Sequence, residues 1–389
     1  MNCAEKTELF FLRAAPGLTA HRPPGTGHFP MTGYFDANAT TPLHPAARAA
    51  WLAAPWHNPS SLYAEAAAAH DAMDQCRERL AGIVGCEPGD LIFLSGATEA
   101  NNAVLESFTR LDKRVAVSAI EHPSGREPAP GALQITAGAD GIASLDALRE
   151  ILEKEKPALV SLMAANNETG VLQPWREALA LCREAGALFH CDAAQWLGKL
   201  PAAGLGDCDF LTGSAHKFGG PKGVGFLKVT GHFRWLRGGP QEDRRRAGTE
   251  NLPGIAAMLA ALEAAESVIA PDDRLRLTFE KEIQRAIPGV QIVAEKSSRL
   301  WNTVLLIMPE HANVKWLARL SRAGFQVSTG SACSSGGGAS EVLAAMSLPA
   351  DLLRRVLRIS SMREHTAHDW RALAEAFAAV HKSLGQQGA

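Results

Sequence analysis

Residues 158–164 read Ala-Leu-Val-Ser-Leu-Met-Ala, residues 173–185 read Gln-Pro-Trp-Arg-Glu-Ala-Leu-Ala-Leu-Cys-Arg-Glu-Ala, and residues 187–191 read Ala-Leu-Phe-His-Cys. Two short apolar runs flank a segment of helical composition, the pattern of a strand, a crossover helix and a second strand. The pattern repeats outward. Leu91–Leu94, Val115–Ile120, Asp209–Thr212 and Val224–Val229 are further apolar runs bounded by Gly, Pro or charged residues, and Glu99–Arg110 and Ser144–Lys154 are further helical stretches. Such alternation implies an α/β fold with a mostly parallel central sheet and helices on both faces. Sheets of that kind bind ligands at the carboxyl ends of their strands, so the site is sought where these runs end.

After about residue 252 the texture changes. An Ala- and Leu-rich helical segment is expected to run to about Ile287, followed by a strand at Thr303–Met308, a helix at Val314–Ala323, a Gly- and Ser-rich loop and a last helix from His368. This reads as a smaller α+β domain. The expected division is a large cofactor-binding domain over 51–258, a small domain over 259–389 carrying the cysteine loop, and an N-terminal segment, 31–50, that contributes to the active site and the small domain. Residues 1–30 scatter Pro and Gly without periodicity, which predicts a loosely ordered leader, with Met31 a candidate start.

The 389 residues are 46% hydrophobic and 21% charged, with 39 Lys plus Arg against 41 Asp plus Glu. That balance, without a basic tract beyond Arg244-Arg245-Arg246, gives no electrostatic reason to expect nucleic acid or an anionic membrane surface. The most apolar long stretch, Leu252–Ala270, contains Glu263 and Glu266 and does not suit a membrane span. Leu9–Leu12 is too short for the core of a signal peptide. Seven cysteines, none in a CxxC pair, are neither a disulfide framework nor a zinc site. A reducing, cytoplasmic setting is expected, with no metal.

Three candidate chemical features stand at strand ends. Ser95-Gly96-Ala97-Thr98-Glu99 is a Gly-containing turn feeding a helix, whose free N–H groups suit a phosphate, although a simple N-cap accounts for it equally. Asp192, in His190-Cys191-Asp192-Ala193-Ala194-Gln195, is placed to hold a cation such as a protonated ring nitrogen, or to cap the next turn. Lys217, in Ser214-Ala215-His216-Lys217 before a Gly-rich turn, is placed to form a Schiff base if burial frees its amine; a surface lysine in a hairpin is the competing reading. Together an amine, an acid and an N–H cradle are what pyridoxal 5'-phosphate requires for its aldehyde, ring nitrogen and phosphate.

These motifs, with Tyr34 to Pro42, Asn58-Pro59-Ser60-Ser61, Glu121-His122, Asn166 to Gly170 and Arg246 to Asn251, resemble the cysteine desulfurase family, a class V branch of fold-type I pyridoxal-phosphate enzymes. The resemblance runs in order from about residue 34 to the end of the chain. It implies that Lys217 is the Schiff-base lysine and moves the proton at the substrate Cα, and that Asp192 pairs with the pyridinium nitrogen. It implies that His122 stacks on the cofactor ring and takes part in proton transfer, while Gln195 and Asn167 partner the phenolic oxygen. Ala97, Thr98, Ser214 and His216 resemble the phosphate cradle, and Thr249 resembles a threonine that reaches the phosphate from a neighbouring subunit, which implies a homodimer with composite sites. Arg358 resembles the arginine that binds the substrate carboxylate, assisted by Asn38.

Cys333 discriminates within the family. Ser328-Thr329-Gly330-Ser331-Ala332-Cys333-Ser334-Ser335 resembles the long, mobile cysteine loop of one branch, and it implies that L-cysteine is converted to L-alanine while Cys333 takes the sulfur as a persulfide. That sulfur would go to an acceptor protein, for iron–sulfur clusters or tRNA thiolation. Cys76, Cys86, Cys182, Cys191 and Cys208 read as small buried hydrophobes, and Cys3 lies in the leader. The alternatives are another class V reaction, such as selenocysteine lyase, desulfhydrase or aminotransferase activity, and a catalytically silent binding subunit. The sequence departs from the family in the Pro- and Gly-rich Pro123–Ala132, in a Gly-rich cysteine loop about one residue short, in Ser361-Met362 where Leu-Gly is common, and in ending soon after the last helix.

Overall fold

Alternate residues along one short strand bury on opposite faces of the principal sheet. Leu91 and Phe93 join one apolar cluster with Val160, Phe189, Leu211 and Phe226, while Ile92 and Leu94 join another with Val104, Val117, Phe210 and Leu227. A strand packed on both faces needs a continuous apolar run rather than an alternating one, which is what these segments carry. The computed structural model describes residues 31–231, 233–330 and 340–386.

Two helices, α1 (Pro45–Ala53) and α2 (Ala64–Val84), precede the sheet. Its strands are β1 (Leu91–Leu94), β2 (Val115–Ser118), β3 (Leu133–Ile135), β4 (Leu159–Ser161), β5 (Leu188–Asp192), β6 (Phe210–Ser214) and β7 (Gly225–Val229), in the order β1-β7-β6-β5-β4-β2-β3. Every pairing is parallel except the two made by β7. Between strands lie α3 (Ala97–Thr109), α4 (Leu145–Lys154) and α5 (Trp175–Ala185). Ser144 caps α4 by accepting from the Ala147 N–H, and α5 stops at Gly186, whose φ of 72° lets its N–H reach the last carbonyls.

Helix α6 (Leu252–Glu266) packs on α1 and α2 and leads to the second layer. There α7 (Arg274–Ala286), β8 (Gln291–Ile292), β9 (Thr303–Ile307), α8 (Asn313–Arg322), α9 (Glu341–Ala345), β10 (Val356–Ser360) and α10 (Ala367–Gly385) build an antiparallel sheet, β10-β9-β8, against helices. Phe279, Leu306, Trp316, Ile359, Trp370 and Phe377 form its core. The segment from Tyr34 to Thr41 straps this layer to the first: Phe35 N donates to Gln326 O and Ser360 N donates to Phe35 O, while Thr41 N donates to His216 O. No helix among the described residues is long and apolar enough to cross a membrane.

The fold has a mostly parallel central sheet with helices, as expected, and a separate small antiparallel sheet. One helix expected over 252–287 is two. It breaks at Pro271-Asp272-Asp273, where proline cannot continue the helix and Asp272 Oδ1 accepts from the Arg274 N–H at 3.0 Å. The expected strands and helices elsewhere correspond to observed elements within a few residues. The leader, Cys3 and the cysteine loop from Ser331 to Ala339, including Cys333, lie outside the described residues.

Candidate active site

Because β7 alone runs backwards, the carboxyl ends of β1, β5 and β6 open on one edge, and the turns that follow them wall a cavity of about 590 Å³. Ser95 to Glu99 enter it after β1, Asp192 and Gln195 after β5, and Ser214, His216 and Lys217 after β6. His122 follows β2, Asn167 follows β4, Arg358 comes from β10 and Asn38 from the N-terminal strap. Eleven of the thirteen expected site residues thus line one cavity; Thr249 does not, and Cys333 lies outside the described residues.

The cradle is backbone. Gly96 has φ 145° and ψ −177°, a conformation essentially confined to glycine, and it turns the chain into α3 with the first N–H groups of the helix free of intrahelical partners. A Cβ at Gly96 would lie 3.6 Å from Ser214 Oγ, and one at Gly225 would lie 2.6 Å from Gly96 Cα, so two glycines let this turn sit against β7. Glu99 would repel an anion here. Burial opposes its ionisation, yet hydrogen bonds from Arg246 (Nε at 3.0 Å) and from the Ser95 N–H (2.7 Å) hold its carboxyl below the usual value and leave Arg246 to neutralise it.

Lys217 Nζ donates to Asn38 O at 2.7 Å and Ala39 O at 3.0 Å. His216 Nδ1 lies 3.1 Å from Thr40 Oγ1; burial, then Lys217, Lys222 and Lys199, push its pKa down to about 4 and keep it neutral. Asp192, almost fully buried, accepts from Asn101 Nδ2 at 2.7 Å and from the Ala194 N–H at 2.9 Å. Asp192 caps the next turn and also lines the cavity.

Sequence reasoning missed the chain that joins Asp192 to His122. Asn101 Nδ2 also donates to Ser124 Oγ at 3.0 Å, and Ser124 Oγ lies 2.8 Å from His122 Nδ1. The Ser124 N–H donates to the same nitrogen at 3.1 Å, so Nδ1 carries the lone pair and the neutral ring bears its proton on Nε2. Burial lowers the His122 pKa, against the opposing pull of Asp192. Asn101 stands two residues after the Ser95-to-Glu99 motif, about one helical turn beyond the cradle; Ser124 carried no signal of its own. Directly behind, Glu121 is fully buried. Burial and then Asp192 push its pKa up to about 8, with Oε1 accepting from the Met163 N–H at 2.5 Å and Oε2 unpartnered.

Arg358 is 2% exposed. Its Nη2 meets Asp36 Oδ1 at 2.6 Å and its Nη1 meets Asn167 O at 3.1 Å, while Nε has no partner. Asn38 turns its side chain away, to Thr303 Oγ1 at 2.9 Å and Asn167 O at 3.2 Å. What it offers the cavity is its carbonyl, shared by Lys217 and Gln195. Thr249 lines a separate cavity of about 210 Å³, which shares Ser95 and Gly223 with the first.

The residues fit pyridoxal phosphate on observations of this chain: an N–H cradle where a Cβ would intrude, a buried carboxylate at the far wall, a primary amine, and an unpartnered Asn167 Oδ1 and Arg358 Nε. The aminotransferase class-V family matches residues 33–373. A cysteine desulfurase of Klebsiella pneumoniae is 36% identical over 350 residues, which cover 85% of this chain and 88% of that protein. Cysteine desulfurase IscS of Dictyoglomus turgidum is 34% identical over 351 residues, covering 84% and 89%. Among solved structures, a NifS-like protein of Rickettsia africae superposes with a TM-score of 0.82 at 30% identity, covering 90% of this chain and 99% of that one. With its cradle, acid and amine gathered at one sheet edge, this chain belongs to the cysteine desulfurase family of class-V aminotransferases, enzymes that depend on pyridoxal phosphate.

Proposed function

We propose that this chain converts L-cysteine to L-alanine and takes the sulfur onto Cys333 as a persulfide for delivery to an acceptor. One observation carries the reading: Lys217, Asp192, His122 and Arg358, from four distant segments, wall a single cavity. Bound pyridoxal phosphate would supply an electron sink for a carbanion at the substrate Cα. Arg358 binds the substrate carboxylate through its planar fork, held in plane by Asp36 and Asn167. Asp192 would pair with the ring nitrogen of the bound group and keep a proton on it. Lys217 removes the Cα proton, and neutral His122 offers a second site for proton transfer through Nε2.

Cys333 then attacks the substrate sulfur as a thiolate. An S–S bond forms as the C–S bond breaks, the C–S electron pair stays on carbon, and a proton from the site completes alanine. Thr249, outside the main cavity, supports a composite site in which it reaches the phosphate of a second copy, hence a homodimer. We further propose the division into a large domain (51–258) and a small one (259–389), with residues 31–50 contributing to the active site and the small domain and 1–30 a leader, a cytoplasmic setting, and use of the sulfur in iron–sulfur cluster assembly or tRNA thiolation.

The test is to give purified protein L-cysteine, with and without reductant, and to measure alanine and protein-bound persulfide. Persulfide mapped by mass spectrometry to Cys333, with Lys217→Ala inactive, supports the reading. Full alanine production with reductant absent after Cys333→Ala overturns persulfide transfer in favour of a simple desulfhydrase or aminotransferase.

A further inference from the structure

Lys199 is 4% exposed and has no carboxylate partner among the described residues. Burial, then Lys217 and Arg358, push its pKa down to about 7. An aliphatic side chain would fill that space without the desolvation penalty of an ammonium, so the position calls for a reason in its polar contacts. Both acceptors belong to one residue: Lys199 Nζ lies 2.7 Å from Gln195 Oε1 and 3.3 Å from Gln195 O. The lysine backbone is pinned as well. Trp301 Nε1 donates to Lys199 O at 3.1 Å, and the preceding Gly198, at φ 72°, accepts from Arg363 Nη2 at 3.3 Å.

A primary amine held in this way acts on the amide of Gln195. As an ammonium the group has donors and no acceptor, so of the two ends of the amide only the oxygen can meet it, as it does at 2.7 Å, and Nε2 faces the other way. There Nε2 donates to Asn38 O at 2.9 Å, the same carbonyl that accepts from Lys217 at 2.7 Å. Gln195 lines the main cavity, and the second hydrogen on Nε2 has no protein acceptor among the described residues.

We propose that Lys199 is a positioning residue, fixing the Gln195 amide so that an N–H rather than a carbonyl meets the anionic phenolic oxygen of the bound cofactor. The inference rests on the pyridoxal-phosphate reading. Without Lys199 the amide is free to flip and to set its oxygen against that anion, which disfavours the deprotonated form. The readout is the pH midpoint of the visible absorption band of the holoenzyme, with the unfolding midpoint of the apoprotein recorded beside it.

Lys199→Met should raise the pH midpoint by about one unit, a tenfold change of the size expected for one hydrogen bond to a charged group. Gln195→Ala should raise it similarly, and the double variant should add nothing to either. A midpoint that Lys199→Met leaves unmoved, with only apoprotein stability lowered, overturns the proposal in favour of a purely structural role. Additive shifts overturn it too, because the charge then acts without Gln195. If Lys199→Met does not fold, Lys199→Gln keeps a donor without the charge: a midpoint below that of Gln195→Ala supports positioning, and one equal to it or higher overturns it. Wild-type protein that takes up no pyridoxal phosphate is a separate outcome, which sinks the cofactor reading and this inference with it.

Discussion

Arg358 Nη2 lies 2.6 Å from Asp36 Oδ1, so a guanidinium from β10 is locked in plane by a carboxylate more than three hundred residues earlier in the chain. A substrate carboxylate meets a fork already oriented, and lysine offers only a point charge in its place. Arg358→Lys should raise KM for L-cysteine roughly 10- to 100-fold, the value of one or two charge-assisted hydrogen bonds, with a smaller change in kcat. Asp36→Asn should raise KM less, roughly tenfold or below. Steady-state kinetics across both variants checks the order; an unchanged KM in Arg358→Lys would contradict the assignment.

His122 stays neutral at pH 7 because burial lowers its pKa from the ordinary 6.5. A group that works as the neutral imidazole is therefore fully available at neutral pH, and its loss belongs on the acid side. kcat/KM should hold level down to about pH 6.5 and fall below it. His122→Gln should cost roughly a hundredfold in kcat and remove that acid limb. A limb that persists in His122→Gln reports a different group.

Glu121 makes an opposite contribution to stability. Its folded pKa, about 8, exceeds the ordinary 4.5, so between those values the folded chain holds a proton that the unfolded chain has lost. Stability from this group is fully present below pH 4.5 and declines as pH rises towards 8, at about 1.4 kcal/mol per unit within that window. Glu121→Gln keeps an oxygen for the Met163 N–H and removes the titration. Its stability relative to wild type should climb between pH 5 and pH 8, read from denaturant unfolding at each pH; a constant difference would show that Glu121 ionises normally.

Gly96 tests the cradle. At φ 145° any Cβ is strained, and here it also approaches Ser214 Oγ. Gly96→Ala should destabilise the apoprotein by roughly 1–3 kcal/mol and weaken pyridoxal-phosphate affinity at least tenfold, measured by cofactor fluorescence. Gly82→Ala, with open space around its Cβ and a place within α2, serves as the control that leaves affinity unchanged.

Much of this arrangement was legible because parallel strands announce themselves as apolar runs and because the reactive groups follow them at once: Leu91–Leu94 before Gly96, Leu188–Cys191 before Asp192, Phe210–Thr212 before Lys217. Strand β10 was not legible. Val-Leu-Arg-Ile-Ser places an arginine at its centre, and only its resemblance flagged Arg358; pairing with β9 and the Asp36 ion pair make that burial tolerable. Short β3 and the Ala-rich α1 and α2 lack the contrast that marks an element. Lys199 was invisible for a plainer reason, since nothing in Gly198-Lys199-Leu200 tells a buried ammonium from a solvated one. Asn101 and Ser124 act only through contacts between segments, which no spacing along the chain encodes.

The reversed strand β7 also sets a timetable. Leu91 pairs with Lys228, and no other strand borders β1, so its one sheet edge stays without a neighbour until β7 has been made. At about 5–20 residues per second, a ribosome leaves β1 and the turn after it waiting roughly 7–27 s. The phosphate cradle is among the first parts of the sheet to be synthesised and among the last to be seated. A nascent chain therefore gains its cofactor site only after residue 229 has emerged, and until then Leu91–Leu94, apolar on both faces, lacks the strand it pairs with.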